Sequence, residues 1–190
     1  MTRIIAGIAG SRQLAGPAAP TRPTSDRIRE SIFNRLDNWD ALEGARVLDL
    51  YAGTGALALE AVSRGAELAV MVERDSKAAV VCIKNAERVQ EALIDAGINA
   101  DTLVACKSVE NYLAAGPNQK FDVVFIDPPY EVTNQEVSSN LERLLPWLDE
   151  QAIIVLERSS RGAAVELPAG YQLDDTKNYG DTSVYWLSLT

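Results

Sequence analysis

The chain has 190 residues, a formal net charge of −9, 47% hydrophobic and 24% charged residues, which suits one globular domain with a sizeable core. It has no histidine, which excludes a Ser-His-Asp triad, a His-activated cysteine and any His-containing zinc site, and its acidity argues against broad affinity for nucleic acid. No apolar run approaches membrane-spanning length and the amino terminus lacks a signal-peptide pattern, so a cytoplasmic protein is expected.

Charge is unevenly spread. Six arginines (Arg3, Arg12, Arg22, Arg27, Arg29, Arg35) face only Asp26 and Glu30 within the first 35 residues, leaving +4 there and −13 on the remainder. A basic arm on an acidic body suits a local polyanion contact; the alternative is a solvated, arginine-rich helix face.

Arg3–Ile5 and Gln13–Leu14 read as short strands of a small hairpin about the Gly7–Gly10 turn, and Gly16 to Pro23 as a connector. Thr24 or Ser25 then caps a helix to about Asn38, with Ile28, Ile32, Phe33 and Leu36 at helical spacing. From Arg46 buried strands alternate with amphipathic helices. Strands are expected at Val47–Tyr51, Leu68–Glu73, Thr102–Cys106, Phe121–Ile126 and Ala152–Leu156. Helices are expected at Ala56–Arg64, Ser76–Asp95, Val109–Ala115 and Asn134–Leu145. Tyr171–Lys177 and Ser183–Leu189 look like an antiparallel pair. This is an α/β pattern, a doubly wound, mainly parallel sheet with an antiparallel carboxy-terminal edge. Residues 1–40 form an arm-and-helix appendage to a domain of residues 41–190. Cys82 and Cys106 read as buried free thiols.

Two stretches carry chemistry. Phe121–Tyr130 reads FDVVFIDPPY, a strand buried on both faces that two prolines force to end. That leaves the Asp127 carboxylate, the Pro128 carbonyl and the Tyr130 ring at its carboxyl edge, where open α/β sheets bind ligands. Two acceptors and a ring suit an amino group on an aromatic base. Pulling on its two N–H groups favours pyramidal nitrogen and aims the lone pair at an electrophile. The plainer alternative is a proline-terminated strand with a capping Asp and a surface Tyr.

The second stretch, Leu48 to Gly55, reads LDLYAGTG and runs off a strand into a helix. Its glycines permit close backbone approach to a ligand, and the helix start presents free N–H groups. Gly53, Gly55 and Ala58 also fit a dinucleotide fingerprint, and Glu73 suits ribose hydroxyls under either reading. Asp49 and Asp127 decide between them: both would sit unfavourably beside a pyrophosphate, whereas Asp49 suits the cationic amino-acid end of S-adenosylmethionine. The remaining alternative for Asp49 is a buried acid capping the loop's own amides.

Together, VLDLYAGTGALALEA and FIDPPY resemble a class I amino-methyltransferase with a Rossmann-like fold. Arg3 to Gly7, Thr21 to Thr24, Asp26-Arg27, Arg29-Glu30, Phe33-Asn34 and Tyr179 to Thr182 narrow the resemblance to the bacterial 16S ribosomal RNA guanine-N2 methyltransferases of the RsmD family, over essentially the full length. The resemblance implies methyl transfer from S-adenosylmethionine to the N2 amine of a guanine within a small-subunit particle, by a metal-free monomer. Asp49, Tyr51, Ala52, Gly53, Gly55, Glu73, Arg74, Ser108 and Val109 would hold the cofactor. Asp127, Pro128 and Tyr130 would be catalytic, and Arg3, Arg12, Arg22, Arg27 and Arg29 would contact the RNA. Ser108 stands where the family usually has an Asp for the adenine amine, and Ile8 to Gln13 is less basic than usual. Adenine-N6 transfer, or a nucleotide- or RNA-binding module without catalysis, are the competing readings.

Overall fold

A computed structural model describes residues 2–16 and 25–190; Arg22, Thr24 and the connector beyond Gly16 lie outside the described residues. Seven strands form one sheet in the order β3-β2-β1-β4-β5-β7-β6. They are β1 (Arg46–Asp49), β2 (Leu68–Val72), β3 (Asp101–Ala105), β4 (Phe121–Ile126), β5 (Leu148–Ser159), β6 (Tyr171–Tyr179) and β7 (Thr182–Leu189). β1 to β5 are mutually parallel, whereas β7 runs antiparallel to both β5 and β6. The chain winds outward from β1 to β3, then returns to lay β4 on the other side of β1. The carboxyl ends of β1 and β4 therefore flank the point where the winding reverses, the place where such sheets open a crevice.

The unbroken apolar strands follow from burial on both faces. Val47, Val123 and Phe125 pack toward one face with α1 (Asp26–Asn38), α2 (Ala56–Ser63) and α3 (Ser76–Asp95). Leu48, Val124 and Ile126 pack toward the other with α4 (Val109–Ala114) and α5 (Asn134–Leu144). Ser25 is the N-cap of α1, its Oγ accepting from Ile28 N, and Asp75 caps α3 in the same way. β5 extends well beyond the predicted Ala152–Leu156, because both of its neighbours, β4 and β7, continue to pair with it.

Two expectations are corrected. The amino-terminal hairpin is one isolated bridge, Arg3 to Gln13, rather than two strands. Across it Ile4 N donates to Arg12 O at 3.0 Å, and Ser11 N to Ile4 O and Leu14 N to Thr2 O at 2.9 Å each, while other groups of the arm are held by α2. Glu60, fully buried, accepts from Ile5 N at 2.6 Å and Ala6 N at 3.0 Å, while Ser63 Oγ accepts from Ala9 N at 2.9 Å and donates to Ala6 O at 2.6 Å. Cys106 is exposed rather than buried, since β3 is an edge strand that ends at Ala105; Cys82 is buried as expected. Ile4 and Leu14 of the arm, Ile32 and Phe33 of α1, and Val47 of β1 share one core cluster.

Candidate functional site

Asp49 is the last residue of β1, and the loop after it is tied to both flanking strands. Leu50 N donates to Phe125 O of β4, and Ala52 N donates to Val72 O of β2, each at 3.0 Å. The loop cannot drift from the sheet edge. Gly53 has φ +54 and Gly55 φ +81, a region that L side chains rarely adopt. A Cβ on Gly53 would meet nothing within 4 Å, so the loop backbone faces open space there; at Gly55 it would lie 2.9 Å from Cys82 Sγ. Gly55 is also the N-cap of α2 and supplies no side-chain cap.

The charges around the loop are acidic and unevenly solvated. Asp49 is 1% exposed, and its Oδ1 has no hydrogen-bond partner. Burial and the nearby Asp127 carboxylate push its pKa up to about 7, against the backbone N–H groups of Tyr51 and Ala58, which favour the ionised form. Asp49 thus caps its own loop and still presents an unpartnered oxygen. Glu73, just after β2, accepts from Gly53 N at 2.9 Å and Asp75 N at 2.8 Å, bracing the glycine loop against the start of α3. Arg74 is exposed and pairs with Glu131 at 3.7 Å, across the loop that follows Tyr130.

At the neighbouring strand end Asp127 is half-buried, Pro128 buried and Tyr130 61% exposed. Asp49 pairs with Phe125 in register, two residues before Asp127. The structure therefore brings Asp49, Tyr51, Ala52, Gly53, Gly55, Glu73, Asp127 and Pro128 to one crevice at the switch point, with the Tyr130 ring at its rim. Ser108 and Val109 begin α4 beyond β3, farther along the same edge. Ser108 is the N-cap, its Oγ accepting from Asn111 N at 3.2 Å, so one oxygen lone pair is already engaged.

The arginines divide. Arg3 and Arg27 are exposed, and Arg12 is half-exposed, 4.0 Å from Glu91. Arg29 does not reach solvent: it is 1% exposed, and its Nη2 donates to Arg3 O and to Asp26 Oδ1, each at 2.8 Å. The expectation that it contacts RNA is corrected to an internal brace between α1 and the arm. Its position explains this, because residues 29, 32, 33 and 36 share the apolar face of α1.

Three residues that support the crevice escaped sequence reasoning. Asn85 of α3, fully buried, accepts from Ala15 N at 2.7 Å and donates to Ala15 O at 3.1 Å and Thr54 O at 2.9 Å, joining the arm to the glycine loop. Arg158, near the end of β5, donates through Nη2 to Val132 O and Asn134 Oδ1, each at 2.8 Å, fixing the loop after Tyr130. Asn140 of α5 donates to the Tyr51 hydroxyl at 2.9 Å. The available signal was a polar residue on an otherwise apolar helix face: Asn85 beside Cys82, Ala86 and Val89, and Asn140 beside Val137, Leu141 and Leu144.

Among the described residues no group of three or more His, Cys, Asp or Glu could hold a metal, and no helix is long and apolar enough to cross a membrane. The family model described as conserved hypothetical protein 95 matches residues 2–188. The chain is 34% identical over 182 residues to ribosomal RNA small subunit methyltransferase D of Escherichia coli (strain K12), covering 95% of this chain and 86% of that protein. The solved Escherichia coli structure of yhhF superimposes with a TM-score of 0.81 at 30% identity, covering 98% of this chain and 97% of that one. Magnesium protoporphyrin IX methyltransferase from Synechocystis PCC 6803, solved with bound SAM, matches with a TM-score of 0.63 at 16% identity, over 86% of this chain and 79% of that one; at that identity the likeness is one of fold.

Proposed function

This chain belongs to the conserved hypothetical protein 95 family, the RsmD family, and we propose that it transfers a methyl group from S-adenosylmethionine to the N2 amine of a guanine in small-subunit ribosomal RNA. One observation carries the reading. The carboxylate-proline-aromatic segment closing β4 lies beside the glycine loop closing β1, at the switch point of the sheet.

The loop fits S-adenosylmethionine on two counts of its own: the orphaned, buried Oδ1 of Asp49 suits a cationic amino group, and the space over Gly53 admits a ligand against the backbone. Asp49, Tyr51, Ala52, Gly53 and Gly55 would hold the amino-acid end, with Glu73 and Arg74 toward the ribose and Ser108 and Val109 toward the adenine. When bound, the cofactor supplies an electrophilic methyl on a sulfonium. Asp127 and the Pro128 carbonyl accept the two N–H groups of the guanine amine, which concentrates its lone pair on one side. Tyr130, exposed at the rim, stacks on a base turned out of its helix or loop. Catalysis is then mainly positioning, in a crevice whose walls are fixed before substrate arrives.

Arg3, Arg12 and Arg27 offer the RNA a basic surface on an acidic body, and Arg22 is proposed to join them. So few phosphate contacts give modest, salt-sensitive affinity, so a small-subunit particle should be a better substrate than naked RNA. The test is incubation of undermethylated small subunits with methyl-labelled S-adenosylmethionine, followed by digestion to nucleosides. Label in N2-methylguanosine is expected. Label in N6-methyladenosine, or none, would overturn the reading.

A further inference from the structure

The acidic body carries one cleft that does not fit its overall charge. It lies outside the crevice, between the solvent face of α1 and the edge strand β6, with a volume of about 460 Å³. Its α1 wall is a polar stripe, Arg27, Glu30, Ser31, Asn34 and Asn38, opposite the buried Ile28, Ile32 and Leu36, and Glu30 is the one carboxylate in a lining that also holds Arg27, Arg35 and Lys177. Lys177 of β6 forms the facing wall, donating to Ser31 Oγ at 3.3 Å.

Trp39 closes the lower end. It is 46% exposed, unusual for so large an apolar side chain, yet it is held rigidly. Trp186 packs edge-on against it at 5.3 Å, and the Arg35 guanidinium lies over both rings, 4.5 Å from the Trp39 centroid and 4.6 Å from that of Trp186. Arg35 is fixed in turn by Asp175. A ring immobilised this way and left half in solvent is a stacking platform prepared in advance.

The upper end leads to the chemistry. Ser31 is hydrogen-bonded to the Tyr179 hydroxyl, and Tyr179 begins the turn that joins β6 to β7. That turn stands at the carboxyl edge of the sheet, where Thr182 pairs with Ser159 at the end of β5. From Arg27 to Trp39 the helix axis spans about 18 Å, enough for a few nucleotides of an extended strand.

We propose that this cleft is a second nucleic-acid subsite, holding a single-stranded RNA segment that leaves the crevice, with phosphates on Arg27 and Lys177 and a base stacked on Trp39. The amides of Asn34 and Asn38 face the bases of that segment. The combination of cations, amides and a fixed aromatic is what single-stranded RNA requires, since its bases are unstacked and its backbone charged. An acidic peptide would use the cations but leave Trp39 and the amides without a role. The inference rests on RNA being the substrate, as proposed above.

The test measures binding of a fluorescein-labelled single-stranded RNA of mixed sequence, and of small-subunit particles, to the full chain and its variants. Lys177→Glu and Trp39→Ala should each weaken RNA binding about fivefold or more, with Trp39→Phe within about twofold of wild type because the ring remains. Lys177→Glu, on an exposed strand, provides the reading should Trp39→Ala unfold. Affinity for S-adenosylmethionine should be unchanged in both. RNA affinity equal to wild type in Lys177→Glu, and also in a Trp39→Ala that folds, overturns the proposal. Loss of particle binding with unchanged binding to the RNA also overturns it, since the cleft would then face ribosomal protein. The proposed activity is scored separately: wild-type protein that binds RNA through the cleft yet methylates no small subunit refutes the activity, not the cleft.

Discussion

Replacing Asp49 by asparagine should make the protein more stable at neutral pH, and the size of the gain should depend on pH in a defined way. Asp49 is buried, with a pKa pushed up to about 7 from 3.8. Between those values the folded protein holds a proton that the unfolded chain releases, so stability falls as pH rises through that window. It is constant above pH 7, where both states are ionised. Two-state linkage with these two pKa values gives a wild-type loss of about 3 kcal/mol at most between pH 5 and pH 8, and the side-chain amide of the Asp49→Asn variant does not titrate there. Urea denaturation of both proteins at pH 5, 6, 7 and 8 measures the difference, and other titrating groups largely cancel in it. A difference that stays flat from pH 5 to pH 8 would refute the assignment of a raised pKa to Asp49. The same proton links to ligand: a cationic amino group beside Asp49 favours the carboxylate. S-adenosylmethionine affinity should therefore rise up to about tenfold per pH unit below 7, level off above it, and lose that slope in Asp49→Asn.

The arm should depend on one carboxylate: Glu60→Ala leaves Ile5 N and Ala6 N without acceptors and Arg64 with Asp37 alone, and should cost about 2–5 kcal/mol by denaturation, with rapid proteolysis within residues 2–16. A loss under about 1 kcal/mol would mean the arm is not anchored there. Tyr130→Phe should transfer methyl nearly as well as wild type and Tyr130→Ala poorly, since the exposed ring, not its hydroxyl, is given the work; equal rates would remove stacking from the mechanism. Arg158→Ala removes the donors to Val132 O and Asn134 Oδ1, and should lower kcat several-fold while leaving S-adenosylmethionine affinity within about twofold. A change confined to cofactor affinity would show that the loop after Tyr130 serves the cofactor instead.

The sheet was legible because its strands are buried on both faces and its helices on one, so two periodicities mark their places along the chain. The helix Ser76–Asp95 and the strand Phe121–Ile126 occur with the predicted bounds. The two loops were legible for a different reason. Glycines with positive φ and paired prolines punctuate the backbone wherever they occur, so Gly53, Gly55 and Pro128-Pro129 mark strand ends before any packing is known. What the sequence did not show depends on partners distant along the chain. Arg29 reads as one more cation until its place on the apolar face of α1 is set against the Arg3 carbonyl, 26 residues away. The arm pairs with itself as expected, but no local pattern shows that Glu60 and Ser63 of α2 also take the N–H groups of Ile5, Ala6 and Ala9. Asn85 reaches residue 15 across 70 positions, which no local pattern encodes. Cys106 turned out exposed because β3 is an edge, a fact of strand order rather than of composition.

The central claim is that Asp127 orients an amine for methyl transfer while the neighbouring loop independently holds the cofactor. Single-turnover transfer by Asp127→Ala on undermethylated small subunits, alongside calorimetric binding of S-adenosylmethionine to the same variant, tests it directly. Transfer should fall by about a thousandfold with cofactor affinity within a few fold of wild type, as expected when a preorganised polar contact to the reacting group is removed. Transfer within about tenfold of wild type would contradict the account.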